Sequence, residues 1–181
     1  MNWLNEVQNK ISRGNKVLFA KNSEFLADLT ALIQEQNHRT MVLWGFEFAD
    51  DAVQKLFERY PNERRLESAV LTSKDWAAGK VRMPVAQRAI LQAHAAAKEI
   101  GSLEDIALCH AVGQACGVVH ANGHAIGFPI YDLTAIIRRY GVPECQGVVE
   151  ERKRQYIERI YYWREHYKDY PYEWADFMTA D

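Results

Sequence analysis

From Ile106 to Ala121 the only polar side chains are His110, Gln114 and His120, apart from the thiols of Cys109 and Cys116. A helix that is apolar almost all round has no face to give to water, so it has to be covered on every side. The same stretch carries Ala107, Ala111, Gly113, Ala115, Gly117 and Ala121, which leave so little bulk that neighbouring helices can come close. The preceding segment, from Pro84 to Ile100, repeats the pattern with Ala86, Ala89, Ala93 and Ala97 around Ile90. An Ala/Gly-rich buried helix pair demands a surrounding layer. The expected architecture is therefore a compact multi-helix bundle with that pair at its centre.

The rest of the chain supplies the layer. Phe25, Leu26, Leu29, Leu32 and Ile33 fall at spacings of three and four, with Ser23 placed as an N-cap. Leu43, Trp44, Phe48, Val53, Leu56 and Phe57 predict a helix over 40–60, weakened locally by Gly45 and ended by Pro61. Leu66, Val70 and Trp76 mark the next helix, closed by Gly79. Pro84 then opens a helix where its missing N–H costs nothing. Ser102 caps the following one, with Glu104 and Asp105 in the first turn, where the macrodipole favours acids. That helix runs to about Ala121, and Asn122-Gly123 supplies a left-handed exit. Helices over about 129–140 and 144–167 complete the set, parted by Gly141 and Pro143. No stretch alternates apolar and polar residues over a useful length, so the class is all-α. The expectation is one helical domain over residues 1–181, whose aromatic tail after Lys168 packs back on the body or onto a partner.

Bulk properties bound the function. A net charge of −2 over 181 residues gives no global pull toward nucleic acid. No apolar run reaches the roughly 18–20 residues of a membrane span, and the first residues, MNWLNEVQNKISRGNK, lack the apolar core of a signal peptide. Three cysteines without framework spacing suit reduced thiols. These point to a cytoplasmic protein with no membrane and no nucleic-acid partner.

Cys116, His120 and His124 lie at i, i+4 and i+8. On an unbroken helix they share one face, yet eight residues rise about 12 Å, and zinc–ligand bonds are about 2.0–2.3 Å. Only an adjacent pair could hold one ion, with His94 or His110 completing the set. The stretch lacks the Glu of HExxH and the paired CxxC of zinc ribbons. Cys109 and His110 are neighbours on a helix and point about 100° apart. Cys116 and His120 face each other across a turn without a recognisable third group. The reading is structural: His94, His110, His120 and His124 make hydrogen bonds on buried faces that fix helix register. No catalytic residue, metal or other cofactor is expected. A metal- or thiol-dependent enzyme built on this His/Cys cluster is the alternative, and a helical scaffold or regulator is a third reading.

Two stretches could meet a partner. Tyr156, Ile160, Trp163 and Tyr167, spaced four, three and four, form the inward stripe of the last long helix. That leaves Tyr161, Tyr162, Tyr170, Tyr172, Trp174 and Phe177 at an edge or on the surface, where such residues serve a heterologous interface or a homodimer. The run KVRMPVAQR brings Lys80, Arg82 and Arg88 together without an acid, a pattern for phosphate, for an acidic partner face or for a solvated surface.

Particular residues carry a family resemblance. Trp76-Ala77-x-Gly79-Lys80 ends one helix, and an Ala-rich helix with His94 follows. Then come Gly113-Gln114-Ala115, His120, His124-Ala125-x-Gly127, and Tyr131 before an apolar helix. Upstream, an aromatic, acidic helix from Trp44 ends in Tyr60-Pro61. In these features the chain resembles a bacterial family of immunity proteins of toxin systems, the immunity-protein-5-like family, over about residues 38–140. The resemblance implies a protein that binds and neutralises a cognate protein toxin. It carries over no catalytic residue, and the flanks 1–37 and 145–181 show none of it.

Overall fold

The computed structural model describes residues 3–171 and 173–179. They form helices α1 (Trp3–Ser12), α2 (Ala27–Gln34), α3 (His38–Arg59), α4 (Arg65–Ala77) and α5 (Met83–Ala96). The order continues with α6 (Leu103–Gly117), α7 (Gly127–Tyr140), α8 (Gln146–His166) and the short α9 (Asp176–Thr179). Two 3-10 turns, Glu24–Leu26 and Asn122–His124, complete the order, and the described residues contain no strand. The fold is an all-α bundle.

The apolar helix is α6. It packs against α3, α4, α5 and α7, and Leu108, Cys109, Ala111, Val112, Ala115 and Cys116 are all buried. Its start is capped as the sequence predicts, since Ser102 Oγ accepts from the Asp105 N–H at 3.3 Å. The expected buried pair resolves differently. Helix α5 turns Ala86, Ala93 and Ala96 inward but leaves Met83, Val85 and Leu91 exposed. Its alanines are small on the side facing α4 and α6, and larger apolar residues look outward. One helix of the pair is central and the other is an edge.

Gly45 is a contact point as well as a weak helix former. A Cβ there would stand 3.2 Å from the carbonyl oxygen of Ala115, so its absence lets α3 lie close on α6. Beside this contact, Trp44, Phe48, Phe128 and Tyr156 make a buried aromatic cluster from α3, α7 and α8. The Trp44 indole N–H donates to the Tyr156 carbonyl at 3.0 Å. The Tyr156 hydroxyl donates to Asp132 Oδ2 at 2.5 Å, and Arg152 Nε donates to the same oxygen at 2.7 Å. Arg152 also donates to Asp51 Oδ2 at 2.9 Å. This network ties α3, α7 and α8 together, and the buried charge on Asp132 is fully paired.

Several local expectations change. Ser23 does not cap α2; its hydroxyl donates to Glu6 Oε2 at 2.6 Å and fastens the connection to α1. Helix α6 ends at Gly117, and the break comes from an extended Ala121 (φ −159°). Gly123 takes no left-handed conformation; among the described residues, the positive φ values belong to Gly14, Gly79 and Gly141. The N-terminal segment, for which the sequence predicts no helix, holds α1, whose Trp3 and Val7 are buried and whose Trp3 ring meets Phe19 and Phe25. The tail packs on the body. The Ala175 N–H donates to the Ala77 carbonyl at the end of α4 (2.9 Å), and Met178 is buried.

Candidate functional site

Four of the six histidines meet on the side of the bundle where α5, α6 and the 122–124 turn converge. His94 comes from the last turn of α5 and His110 from the middle of α6. Their Nδ1 atoms are 2.9 Å apart, so one ring donates and the other accepts. The His110 ring also lies 5.2 Å from that of Tyr131 on α7. His124 Nδ1 sits 3.3 Å from Gln114 Oε1, which can accept its proton. His120 stacks on Trp76 with ring centroids 6.3 Å apart.

Glycines on α6 and α7 make this arrangement possible. A Cβ on Gly113 would overlap the His94 ring. One on Gly117 would stand 3.1 Å from the His124 ring, and one on Gly127 would overlap the Gln114 amide. The small residues of the Gly113–Gly127 stretch thus seat side chains. The close helix approach also expected of these small residues is met at Ala115, where α3 lies against α6 at Gly45. Their spacing of four puts Gly113 and Gly117 on one face of α6, the face that receives His94 and His124.

The expected burial of all four histidines needs correction. His94 and His110 are half-buried, whereas His120 and His124 are exposed. His120 makes no side-chain hydrogen bond among the described residues; its contact is the Trp76 ring. Cys116, one turn before His120 in sequence, is fully buried within the core cluster. Among the described residues no three His, Cys, Asp or Glu side chains converge as metal ligands.

Electrostatics on this face are one-sided. Burial, followed by the neighbouring charges of His110 and His124, holds His94 below the usual imidazole range. Burial and Lys16 do the same to His110, and burial, His120 and Lys21 to His124. No carboxylate offsets these shifts. The thiols are inert for a different reason: burial pushes Cys109 and Cys116 up to about 12 and raises Cys145 as well. A thiol at such a value is protonated at neutral pH and is a poor nucleophile.

The aromatic candidates fall into two groups. Tyr161 and Tyr162 are exposed on α8, each beside an arginine (Arg164 and Arg159), while the Tyr156–Ile160–Trp163–Tyr167 stripe faces inward. Phe177 is exposed at the tail, but its ring lies tilted against Trp76 with centroids 5.7 Å apart, which links it to His120 through that ring. Trp174 is half-buried, 5.7 Å from Tyr170, and both line a cavity of about 270 Å³ with Lys80. Tyr172 lies outside the described residues. Lys80 is 3.5 Å from Asp75, and Arg82 and Arg88 are exposed at the start of α5. Sequence reasoning missed Lys16, Lys21 and Lys98, which join the histidines. For Lys98 the available signal was the absence of any acid between Asp75 and Glu99; Lys16 and Lys21 lie outside that stretch.

No helix among the described residues is long and apolar enough to cross a membrane. No curated protein and no solved structure matches the chain. One family does, over residues 31–160, a stretch that runs from α2 through most of α8 and extends past both ends of the resemblance read from the sequence. The chain belongs to that family, described as "Imm-5 like putative immunity protein".

Proposed function

We infer that this protein binds a cognate bacterial toxin and neutralises it by protein–protein contact, in the cytoplasm and without catalysis of its own. Family membership over residues 31–160 is the observation that carries this reading. The geometry supports it in two ways. The cysteines are buried and protonated, which disfavours the thiol-enzyme alternative. The outer face of α5 presents Met83 and Leu91 to solvent, flanked by Arg82 and Arg88, and Trp76 joins it to Phe177 of the tail. Exposed apolar side chains rimmed by charge mark interaction surfaces.

In this reading Arg82, Arg88 and Phe177 contact the toxin, with Lys80 and Trp174 at the margin. Tyr161 and Tyr162 form a separate patch on α8 that suits self-association. The chain acts as one helical domain. The test is calorimetric titration of the purified protein with the toxin domain encoded by the adjoining reading frame. A one-to-one complex, weakened at least about tenfold by Leu91→Asp, supports the assignment; tenfold corresponds to about 1.4 kcal/mol. Absence of binding by a folded protein refutes it.

A further inference from the structure

His94 stands between two grooves. On one side, a cavity of about 370 Å³ has Leu103, Ile106 and Ala107 as its apolar floor and Lys16, Lys98 and His110 on its walls. On the other, a cavity of about 240 Å³ is lined by Met83, Leu91 and Trp76, with His120 and His124 at the rim. Neither groove is lined by an aspartate or glutamate. The nearby carboxylates are committed elsewhere: Glu99 to Arg65, Glu104 and Asp105 to Arg59, and Asp75 to Lys80. Lys16, Lys21 and Lys98 have no carboxylate partner among the described residues.

We propose that these grooves receive an acidic segment of a protein partner, with one carboxylate seated at the His94–His110 pair and apolar neighbours in the cavities on either side. The proposal rests on the toxin-binding reading above and names the chemistry that the toxin must present. Charge complementarity supports it. The titratable groups that share the two cavities with His94 include no carboxylate: Lys98 just past the end of α5, His110 from α6, the Tyr131 phenol from α7, His120 and His124 from the segment after α6, and Lys16 from the α1–α2 connection. An anion is the one kind of charge that lowers the energy of all of them. A nucleic acid fits less well, because the cavities have apolar floors, no arginine lines them, and the chain carries a net charge of −2.

The proton arrangement makes the proposal specific. With the two Nδ1 atoms 2.9 Å apart, a single proton lies on their shared edge. A second proton there would set two N–H groups against each other. A carboxylate bridging the two Nδ1 edges removes that conflict, since the rings turn apart and each Nδ1–H can then donate to its own oxygen. Binding is therefore coupled to proton uptake by the pair, and affinity rises as pH falls.

The test uses the full chain and a defined probe, the peptide acetyl-Leu-Phe-Glu-Leu-Leu-amide, with its Gln counterpart as the uncharged control. Imidazole resonances of His94 and His110 are followed by NMR at about pH 6 and pH 8. The expected result is saturable shifts with the Glu peptide, at least about tenfold weaker binding of the Gln peptide, and about tenfold or more loss of affinity at pH 8 relative to pH 6. The double variant Lys16→Gln/Lys98→Gln changes only exposed side chains and weakens the Glu peptide severalfold, while His94→Gln abolishes the pH dependence. Equal binding of both peptides would show an apolar groove without a carboxylate site, and stronger shifts with inorganic phosphate would show a phosphate site; either overturns the proposal, as does the absence of saturable shifts. Because no toxin is present, failure here leaves toxin binding standing, and success here with no toxin complex refutes only the immunity reading.

Discussion

The imidazole of His94 fills the space that a side chain at Gly113 would need. A residue on α5 is thus registered against α6 by an absence on α6, and the ring is held there by its 2.9 Å contact with His110. This relationship makes Gly113→Ala costly. The new methyl group displaces the ring and breaks the histidine pair, an overpacking penalty of about 1–3 kcal/mol. In a His94→Ala background the same substitution meets no ring and costs little. A double-mutant cycle by urea denaturation checks this, and additive costs would show that the two residues are independent.

Stability should depend on pH through the same cluster. His94, His110 and His124 all titrate below the unfolded value of about 6.5, so the unfolded chain binds more protons as pH falls through that range. Their contribution is fully present above about pH 7 and is lost progressively below about 6.5, before the carboxylates titrate. Urea midpoints should fall between pH 7 and pH 5 in the wild type, and less in the His94→Ala/His110→Ala variant. Equal slopes in the two proteins would remove the histidines from the account.

The Asp132 network predicts a second, separate set of costs. Asp132→Leu leaves the largely covered Arg152 without its main partner and destabilises by about 3–5 kcal/mol. Tyr156→Phe removes one hydrogen bond to a charged group and costs about 1.5–3 kcal/mol. Thermal melts of both variants test this, and a larger loss for Tyr156→Phe than for Asp132→Leu would contradict the pairing.

None of the three thiols should react with a disulfide reagent at about pH 8 in the native state, since all are buried and pushed upward. All three should react after unfolding in urea. Rapid native labelling of Cys116 would reopen the thiol-enzyme alternative.

The helices were legible because their signals are local. Periodic apolar residues, Pro84, Ser102 and Gly141 act within a turn or two, and α4, α5, α6 and α7 begin close to the positions they indicate, whereas α5 and α6 end about a turn early, at Ala96 and Gly117. Helix α1 was missed because Trp3 and Val7 give too short a stripe, and it is held by Phe19 and Phe25 from a later segment. The histidine face was legible only as composition. Gly113 and Gly117 stand out in the sequence as small residues, but the rings they accommodate come from α5 and from the 122–124 turn. Lys16 reaches His110 because its connection is pinned to α7, where the Leu18 N–H donates to Thr134 Oγ1 at 3.0 Å. The Lys16–His110 and Leu18–Thr134 relationships join residues more than 90 positions apart, and no local pattern encodes them.

The most direct test of the central claim is growth protection. The toxin domain from the adjoining reading frame is expressed in a susceptible bacterial host, alone and together with this protein, and colony counts are compared. Co-expression should restore growth by several orders of magnitude, and Leu91→Asp, which leaves the core untouched, should reduce that protection. A toxin that kills equally well in the presence of the folded, soluble protein would contradict the immunity role.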